Sequence, residues 1–449
     1  MSKLDPKKTA KSAVRSAMKV PLRASNAKSI LRDANQFLMP TYKRQPIVFT
    51  HGRGCYVYDS RGKKYLDFLG GIAVNALGHA HPRIVKVIRR ESGRAIHLSN
   101  LFHNSFQGPL ARKLAQWSGM DRVFFSNSGA EAIEGALKLA RLYGRTSDDA
   151  PGSPARKYRF LALDNSFHGR TFGAVSVTAT EKYRLPFAPL VPGVEFVRFN
   201  DVADLESKFD DTVCAILFET IQGEGGIHPV SEEFWNRARA LATKNGALLI
   251  ADEIQSGLGR TGRYFAYQKF SSKPDVVTVA KPLAAGLPLG AILTSEAVAQ
   301  KVSPGLHGTT FGGGPLACAT ALEFLNIIED EKLLENIRER GAELREGLAA
   351  LATKFPFIRE IRGEGLMIGI ELSIDGAPFV QRALLKGLLI NCTHDFTLRF
   401  LPPYLVSRAQ VRQFLRLLEQ LFVTTPQKAA SPEPAKSAPP SHAALAAVR

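Results

Sequence analysis

The sequence has few cysteines and no long apolar run. Its 449 residues include four cysteines, none in a CxxC pair or at the spacing of a metal-binding Cys/His cluster. No stretch approaches the ~18 consecutive apolar residues that a membrane-spanning helix requires. Hydrophobic residues make up 45% of the chain and charged residues 22%, which is typical of a soluble globular protein. We therefore expect no metal, no membrane segment and a reducing compartment.

Acidic residues are scarce near the ends of the chain. The net charge is +18, and residues 1–32 contain nine Lys and Arg against one acid, Asp5. We predict a basic, flexible N-terminal extension over 1–32 and a disordered Pro/Ala-rich tail over 426–449. The extension has the composition of a mitochondrial transit peptide, and the alternative is a solvated extension of a bacterial, cytoplasmic protein. No basic stripe with interleaved aromatics occurs, so we expect no nucleic-acid partner.

Short apolar stretches alternate with helical patterns through the middle of the chain. The strings "CAILFETIQG", "ALLIADEIQ" and "VVTVAKPLAAG" resemble buried strands, and "AEAIEGALKLARLYG" has helical periodicity. This alternation predicts an α/β fold with a mostly parallel sheet and helices on both faces. Ligands in such sheets bind outside the carboxyl ends of the strands.

The segments flanking this region indicate a second domain. From Arg340 the chain combines a long helix with short alternating strands, and an early hairpin, "GCYVYDSRGKKYLDF", has the same character. We predict that residues 33–75 and 306–425 form one small α+β domain. A large domain, residues 76–305, would then be inserted between its two parts.

Reactive side chains follow the predicted strands. Glu219 and Glu224 come after "CAILF", Asp252 and Gln255 after "ALLIA", and Lys281 after "VVTV". A buried ammonium is costly unless it is paired, deprotonated or used in covalent chemistry. Taken alone, each residue also has an ordinary explanation, because a strand-end lysine often reaches water and an acid after a strand often caps a helix.

A glycine at the start of a helix adds a further candidate site. In "SNSGAEAIEGALKLAR", small residues and Gly129 precede the helix, where free N–H groups and the positive helix end favour a phosphate. Lysine, a buried aspartate and a phosphate site are together what pyridoxal phosphate requires. A dinucleotide site is not indicated, since "GEGLMIG" has Ile368 at its third glycine position.

Several strings together resemble one enzyme family. "NSGAEA", "FHGRT", "ETIQGEGG", "ADEIQSGLGRTG", "VAKPLAAG" and "HGTTFGGGP" occur in the order and spacing of class III (ω-amino acid) pyridoxal phosphate aminotransferases. The similarity extends from about Met39 to about Val423. Within the family, "MPTY" and "LDFLGGIAVNALGHAHP" are most similar to N-acetylornithine aminotransferases. The resemblance implies the fold-type I architecture, with a large and a small domain.

The resemblance also implies roles around the cofactor ring. Lys281 is expected to form the Schiff base and to carry protons. Asp252 is expected to pair with the pyridinium nitrogen, and Gln255 with the phenolic oxygen. Phe167 and Ile254 are expected to contact opposite faces of the ring.

The remaining implied residues lie around the cofactor phosphate and the substrate. Gly129 and Ala130 are expected to bind the phosphate through backbone N–H groups. Thr310 of a second subunit is expected to complete this site, so the resemblance implies a homodimer with Thr309 and Thr310 at its interface. Glu253 belongs to the same cofactor-binding motif.

Two arginines are expected to bind substrate carboxylates. Arg170, with Thr309 nearby, is implied to bind the α-carboxylate of the ω-amino substrate. Arg399 is expected to pair with Glu224 during that half-reaction and to bind the α-carboxylate of glutamate in the other.

The implied reaction converts N-acetyl-L-ornithine and 2-oxoglutarate into N-acetyl-L-glutamate 5-semialdehyde and L-glutamate, within arginine biosynthesis. Ornithine, succinylornithine, succinyldiaminopimelate and 4-aminobutyrate remain alternative amino donors.

Overall fold

A computed structural model describes residues 26–146, 149–150, 152–153 and 155–424. The predicted N-terminal extension lies outside the described residues as far as residue 25, and the predicted tail lies wholly outside them. None of the helices in these ranges has the length and apolar character that crossing a bilayer requires.

The strands are numbered along the chain. They are β1 (Phe49–Arg53), β2 (Tyr56–Asp59), β3 (Lys64–Asp67), β4 (Arg122–Ser126), β5 (Arg159–Leu163), β6 (Val194–Val197), β7 (Val213–Glu219), β8 (Ile221–Gln222), β9 (His228–Pro229), β10 (Leu248–Asp252), β11 (Val276–Val279), β12 (Gly290–Thr294), β13 (Ile358–Glu364), β14 (Met367–Leu372), β15 (Leu388–Leu389), β16 (Asn391–Thr393) and β17 (Thr397–Phe400).

The helices are numbered in the same way. They are α1 (Ala27–Phe37), α2 (Pro82–Ser92), α3 (Gln107–Ser118), α4 (Gly129–Tyr143), α5 (Phe172–Ser176), α6 (Glu181–Arg184), α7 (Val202–Lys208), α8 (Glu232–Asn245), α9 (Glu296–Ala299), α10 (Pro315–Asp330), α11 (Leu333–Lys354), α12 (Ala377–Leu385) and α13 (Arg408–Val423). Short helical turns also occur at Gly70–Ala73, Leu185–Phe187 and Ala266–Lys269.

The central sheet has seven strands in the spatial order β4-β12-β11-β10-β7-β5-β6. Strands β11, β10, β7, β5 and β6 are parallel to one another, and β12 is antiparallel to both of its neighbours, β11 and β4. Ile216 and Leu249 pack in one apolar cluster, whereas the adjacent Leu217 and Ile250 pack in another. Helices therefore cover both faces of the sheet, and the predicted α/β architecture is confirmed.

The register of the parallel strands brings several polar side chains into one row. Asp252 at the end of β10 pairs with Glu219 on β7 and with Thr278 on β11. Lys281 follows β11 by two residues. The carboxyl ends of three neighbouring strands thus converge on the same edge of the sheet.

Two four-stranded sheets flank this structure, in the orders β1-β2-β3-β15 and β13-β14-β17-β16. Strands β3 and β15 are parallel, with Leu66 opposite Leu388, so segments from both ends of the sequence share a sheet. Between β8 and β9, which pair as a short ribbon, lie residues 223–227, here called the 223–227 turn. This turn reaches the sheet that contains β17.

Candidate active site

A cavity of about 430 Å³ lies at the carboxyl ends of β7, β10 and β11. Its walls include most of the predicted site residues: Gly129, Ala130, Phe167, Arg170, Asp252, Ile254, Gln255 and Lys281. A larger cavity, of about 810 Å³, lies against α4 near Lys138 and Arg141 and contains none of the predicted site residues. We identify the smaller cavity as the candidate site because the reactive groups converge there.

Asp252 is held by three hydrogen-bond donors. It is buried, and its Oδ2 lies 2.7 Å from His168 Nδ1. Its Oδ1 accepts from Ile254 N at 3.0 Å and from Thr278 Oγ1 at 3.4 Å. A carboxylate only accepts, so His168 Nδ1 is the protonated ring nitrogen. This arrangement fixes an anionic group at the floor of the cavity.

His168, which supports Asp252, was not predicted as a site residue. Its ring is buried, and within the described residues Nε2 has no hydrogen-bond partner. The signal was present in "FHGRT", where His168 follows Phe167, but a polar residue beside an aromatic one is usually structural.

Lys281 lies with Asp252 on the floor of the cavity, in surroundings that disfavour a cation. Burial lowers the pKa of its ammonium, although the carboxylates of Asp252 and Glu224 act in the opposite direction. Its backbone φ is +21°, at the edge of the left-handed region that residues other than glycine rarely adopt. The environment thus increases the fraction of neutral amine, the form that acts as nucleophile or base.

Glu219 also lines the cavity. Its carboxylate accepts hydrogen bonds from Phe167 N at 3.1 Å and from Gly223 N at 2.9 Å. Burial raises the pKa of Glu219 to about 7, against the attraction of His168. Glu219 therefore connects the loop that carries Phe167 with the turn that carries Glu224, a function that its position after a strand did not predict.

The start of α4 forms an anion-binding cup. Ser128 Oγ accepts from Glu131 N at 3.2 Å, and within the described residues the N–H groups of Gly129 and Ala130 have no partner. A Cβ at Gly129 would lie 2.8 Å from Ile254 Cδ1, so the close approach requires glycine. Two free donors at the positive end of a 15-residue helix suit a phosphate.

Arg170 lies at the cavity mouth. Its guanidinium carbon is 3.5 Å from the centroid of the Tyr183 ring, and Tyr183 contacts Phe167 edge-on. Arg170 is exposed, and no carboxylate within the described residues pairs with it. It is therefore a cation available for an acidic substrate.

The predicted contact between Glu224 and Arg399 is present. Arg399 Nη1 lies 2.7 Å from Glu224 Oε1 and donates to Gln255 Oε1 at 3.1 Å. Arg399 Nε donates to Asn391 Oδ1 at 3.2 Å. The arginine side chain is fully buried, whereas 35% of the Glu224 side chain is exposed. A buried cation thus faces a partner that reaches solvent.

Five predicted residues are not among those that line the cavity: Glu224 and Arg399, described above, and Glu253, Thr309 and Thr310. Glu253 points away, and its buried carboxylate accepts from Thr220 Oγ1 at 2.7 Å and from Tyr267 N at 2.8 Å. Thr309 Oγ1 accepts from Asn127 Nδ2 of the same chain at 3.1 Å. Thr310 is exposed.

The residues present fit pyridoxal phosphate. The cup at Gly129 matches its phosphate, Asp252 matches a protonated pyridine nitrogen, and Lys281 has a lowered pKa suited to its aldehyde. The fold and site therefore define a pyridoxal phosphate-dependent enzyme.

Comparison with known sequences gives the family. The aminotransferase class-III family matches residues 38–422, and the chain belongs to this family.

Similar proteins agree with this assignment. An acetylornithine aminotransferase of Caldanaerobacter subterraneus subsp. tengcongensis is 45% identical over 388 residues, which cover 86% of this chain and 97% of the relative. The structure of ornithine aminotransferase from Toxoplasma gondii superposes with a TM-score of 0.84 and 35% identity, covering 92% of this chain and 97% of the other. The structure of acetylornithine aminotransferase from Elizabethkingia anophelis superposes with a TM-score of 0.77 and 30% identity. This superposition covers 89% of this chain and 99% of the other.

Proposed function

We propose that this aminotransferase transfers the terminal amino group of N-acetyl-L-ornithine to 2-oxoglutarate. The products are N-acetyl-L-glutamate 5-semialdehyde and L-glutamate, and the step belongs to arginine biosynthesis. The relative from Caldanaerobacter, an acetylornithine aminotransferase, supports this substrate most strongly, because the match covers 86% of this chain and 97% of the relative.

The cavity floor supplies the proton chemistry. Pyridoxal phosphate, when bound, supplies an aldehyde that condenses with amines and a ring that withdraws electrons from the bond being broken. Lys281 would form the covalent link to the cofactor and move protons between the two reacting carbons. Asp252, oriented by His168, would hold a proton on the ring nitrogen. Gln255 would donate to the phenolic oxygen.

The cavity walls would hold the cofactor in place. Phe167 and Ile254 would contact the two ring faces. Gly129 and Ala130 would donate their free N–H groups to the phosphate. Glu253 would act indirectly, since its hydrogen bonds fix the chain that follows Asp252.

Arg170 would bind the α-carboxylate of N-acetylornithine. A planar guanidinium binds a carboxylate through two parallel hydrogen bonds, and Arg170 has no acidic partner within the described residues. Thr309 would lie nearby. With its carboxylate held at Arg170, the substrate would present its terminal amine to Lys281, which lines the same cavity.

Glu224 would act as a removable mask on Arg399. N-acetylornithine presents no carboxylate next to its reacting carbon, so a free arginine there would attract its distant α-carboxylate and misorient the terminal amine. Glutamate does carry one, and Arg399 would bind it after Glu224 swings away. The partial exposure of Glu224 supports this mobility.

The enzyme would work as a homodimer. Leu101, Phe102 and Phe311 are large apolar side chains that are 87%, 72% and 67% exposed. Asn100 joins their two segments, since its Nδ2 donates to Thr309 O at 3.1 Å. An apolar patch beside Thr310 suits a second copy, to whose phosphate site Thr310 would contribute. Light scattering is expected to give twice the mass of one chain.

We place the enzyme in the cytoplasm, as its bacterial and archaeal relatives suggest. A mitochondrial location would apply if the basic N-terminal segment is a transit peptide.

The likeness to Toxoplasma ornithine aminotransferase supports a second candidate donor, ornithine. Initial rates with N-acetylornithine, ornithine, succinylornithine, succinyldiaminopimelate and 4-aminobutyrate would decide between them. The highest kcat/KM is expected with N-acetylornithine. A higher value with free ornithine would overturn the proposed substrate and leave the class of reaction unchanged.

A further inference from the structure

We propose that Arg362 is a positioning residue that keeps Glu224 on Arg399 and so sets how the enzyme distinguishes its two amino donors. The inference rests on the proposed function, because it concerns the mask that Glu224 forms. Arg362 belongs to β13 and is not among the residues that line the cavity.

The two arginines lie in one row of the sheet that contains β13, β14 and β17. Arg362 pairs with Gly369, and Gly369 pairs with Arg399. Directly paired residues point to the same face of a sheet, so both arginine side chains extend on one side of it. Gly369, which lies between them on β14, contributes no side chain to this face. A Cβ at Gly369 would lie 2.9 Å from Ile227 Cγ1. Ile227 of the 223–227 turn therefore fills the gap between the arginines.

Arg362 binds this turn directly. Its Nε and Nη2 both donate to Gly226 O, at 3.1 and 2.9 Å. Nη2 also donates to Thr397 Oγ1 at 3.3 Å, two residues from Arg399 on β17. With only 5% of its side chain exposed, Arg362 joins the turn that carries Glu224 to the strand that carries Arg399.

Two carboxylates orient the Arg362 guanidinium. Its Nη1 donates to Glu360 Oε2 at 2.6 Å and also to Glu371. These contacts occupy one end of the guanidinium and leave Nε and Nη2 for the turn. They also neutralise its charge, so Arg362 is not a further binding site for substrate carboxylates.

The turn has a backbone that needs such support. Gly226 has φ +107°, and Ile227 has φ +59°, which is rare for a β-branched residue. Ile227 is fully buried, so its side chain anchors the turn only while the strained backbone is held. Loss of the donors to Gly226 O would let the turn relax and draw Glu224, two residues earlier, away from Arg399.

The test compares Arg362→Met with Arg345→Met. Arg345 on α11 also donates to a backbone carbonyl of β13, Gly363 O at 2.7 Å, and among the described residues it has no hydrogen bond to the turn. Single-turnover rate constants would be measured for glutamate and for N-acetylornithine. We expect their ratio to shift roughly tenfold toward glutamate in Arg362→Met, a size typical of a lost charge-assisted hydrogen bond, and to stay at the wild-type value in Arg345→Met.

A second readout needs no turnover. Hydrogen–deuterium exchange of residues 223–230 in substrate-free holoenzyme should quicken in Arg362→Met and not in Arg345→Met. Arg362→Lys, which retains one donor group, should shift the ratio less than Arg362→Met. If Arg362→Met folds poorly, Arg362→Lys takes its place as the test variant. In a Glu224→Ala background, Arg362→Met should change the ratio no further, because both substitutions remove the same mask.

The outcomes separate this role from the proposed function. If Arg362→Met lowers both half-reactions equally, or leaves both the ratio and the exchange unchanged, the positioning role is wrong. If Glu224→Ala leaves the ratio unchanged, the mask is wrong and the role of Arg362 falls with it. An error in the proposed substrate would be detected separately, because the wild-type enzyme would then show its highest kcat/KM with another ω-amine. The ratio of the two half-reactions would in that case be measured with that ω-amine and glutamate.

Discussion

The floor of the cavity and the adjacent Glu224–Arg399 ion pair, here called the wall, are held in place by different means. Asp252 and Lys281 follow neighbouring strands of one sheet, so the backbone register sets their positions. The wall joins two substructures, because Arg399 lies on β17 and Glu224 on the 223–227 turn. Backbone hydrogen bonds hold the floor, and contacts between side chains hold the wall.

This difference matches the two requirements of transamination. The proton chemistry is common to both half-reactions and benefits from a rigid floor. Binding of two unlike donors requires a part that can change state, and the partly exposed carboxylate of Glu224 can be exchanged for a substrate carboxylate without leaving the buried Arg399 unpaired. Substitutions in the floor should therefore impair both half-reactions, and substitutions in the wall should separate them.

The largest effect is expected from Lys281→Ala. The variant loses both the covalent link to the cofactor and the proton carrier, so turnover should fall by at least ~10³-fold in both half-reactions. Steady-state rates with N-acetylornithine and 2-oxoglutarate measure this. Near-normal transamination by a folded variant would refute the assignment of the floor.

Arg170→Ala should have the next largest effect. It removes a bidentate ion pair with substrate, worth about 3 kcal/mol, or roughly 100-fold in kcat/KM. Arg170→Lys is the matched control, since it retains the charge but not the planar geometry and should recover only part of the loss. An unchanged kcat/KM with N-acetylornithine would mean that another cation binds the carboxylate.

Glu224→Ala should separate the half-reactions. Arg399 is then permanently unmasked, so the ω-amine half-reaction should slow about tenfold while the glutamate half-reaction stays unchanged or quickens. Single-turnover kinetics measure each half separately. Glu233→Ala, at an exposed position in the first turn of α8, is the control.

A proportional fall in both half-reactions would contradict the mask. Glu224 and Arg399 would then form a structural ion pair, and loss of activity should follow loss of thermal stability across a series of variants.

The sequence predicted the floor better than the wall's support. Asp252 and Lys281 directly follow apolar strands, so the general rule for parallel sheets locates them. The adjacent Glu253 could not be placed in this way, because its carboxylate points away from the cavity toward Tyr267 N. Arg362 was missed because its relation to Arg399 depends on the pairing of Gly369 with both strands, which local sequence does not reveal.

Glu219 presents the same limitation. Its position at the end of β7 marked it as reactive, but its two backbone donors come from residues 52 positions before it and four after it. Burial and hydrogen bonding together decide the protonation of such a group, and both arise only when distant segments meet.

The smallest effect on catalysis is expected from Glu219→Gln, which should instead remove a pH dependence of stability. The folded-state pKa of Glu219, about 7, lies above the ordinary value of 4.5, so the native protein binds more protons than the unfolded chain between these values. By linkage, wild-type stability should fall as pH rises from about 4.5 to 7, by on the order of 3 kcal/mol from this group.

Glutamine does not titrate and retains one acceptor for Phe167 N or Gly223 N. Denaturant unfolding of the holoenzyme at pH 5 to 8 should therefore show the wild type losing stability relative to Glu219→Gln with rising pH, whereas Glu233→Gln should run parallel to wild type. Parallel curves for Glu219→Gln as well would mean that Glu219 is ionised throughout, as fixed a part of the floor as Asp252.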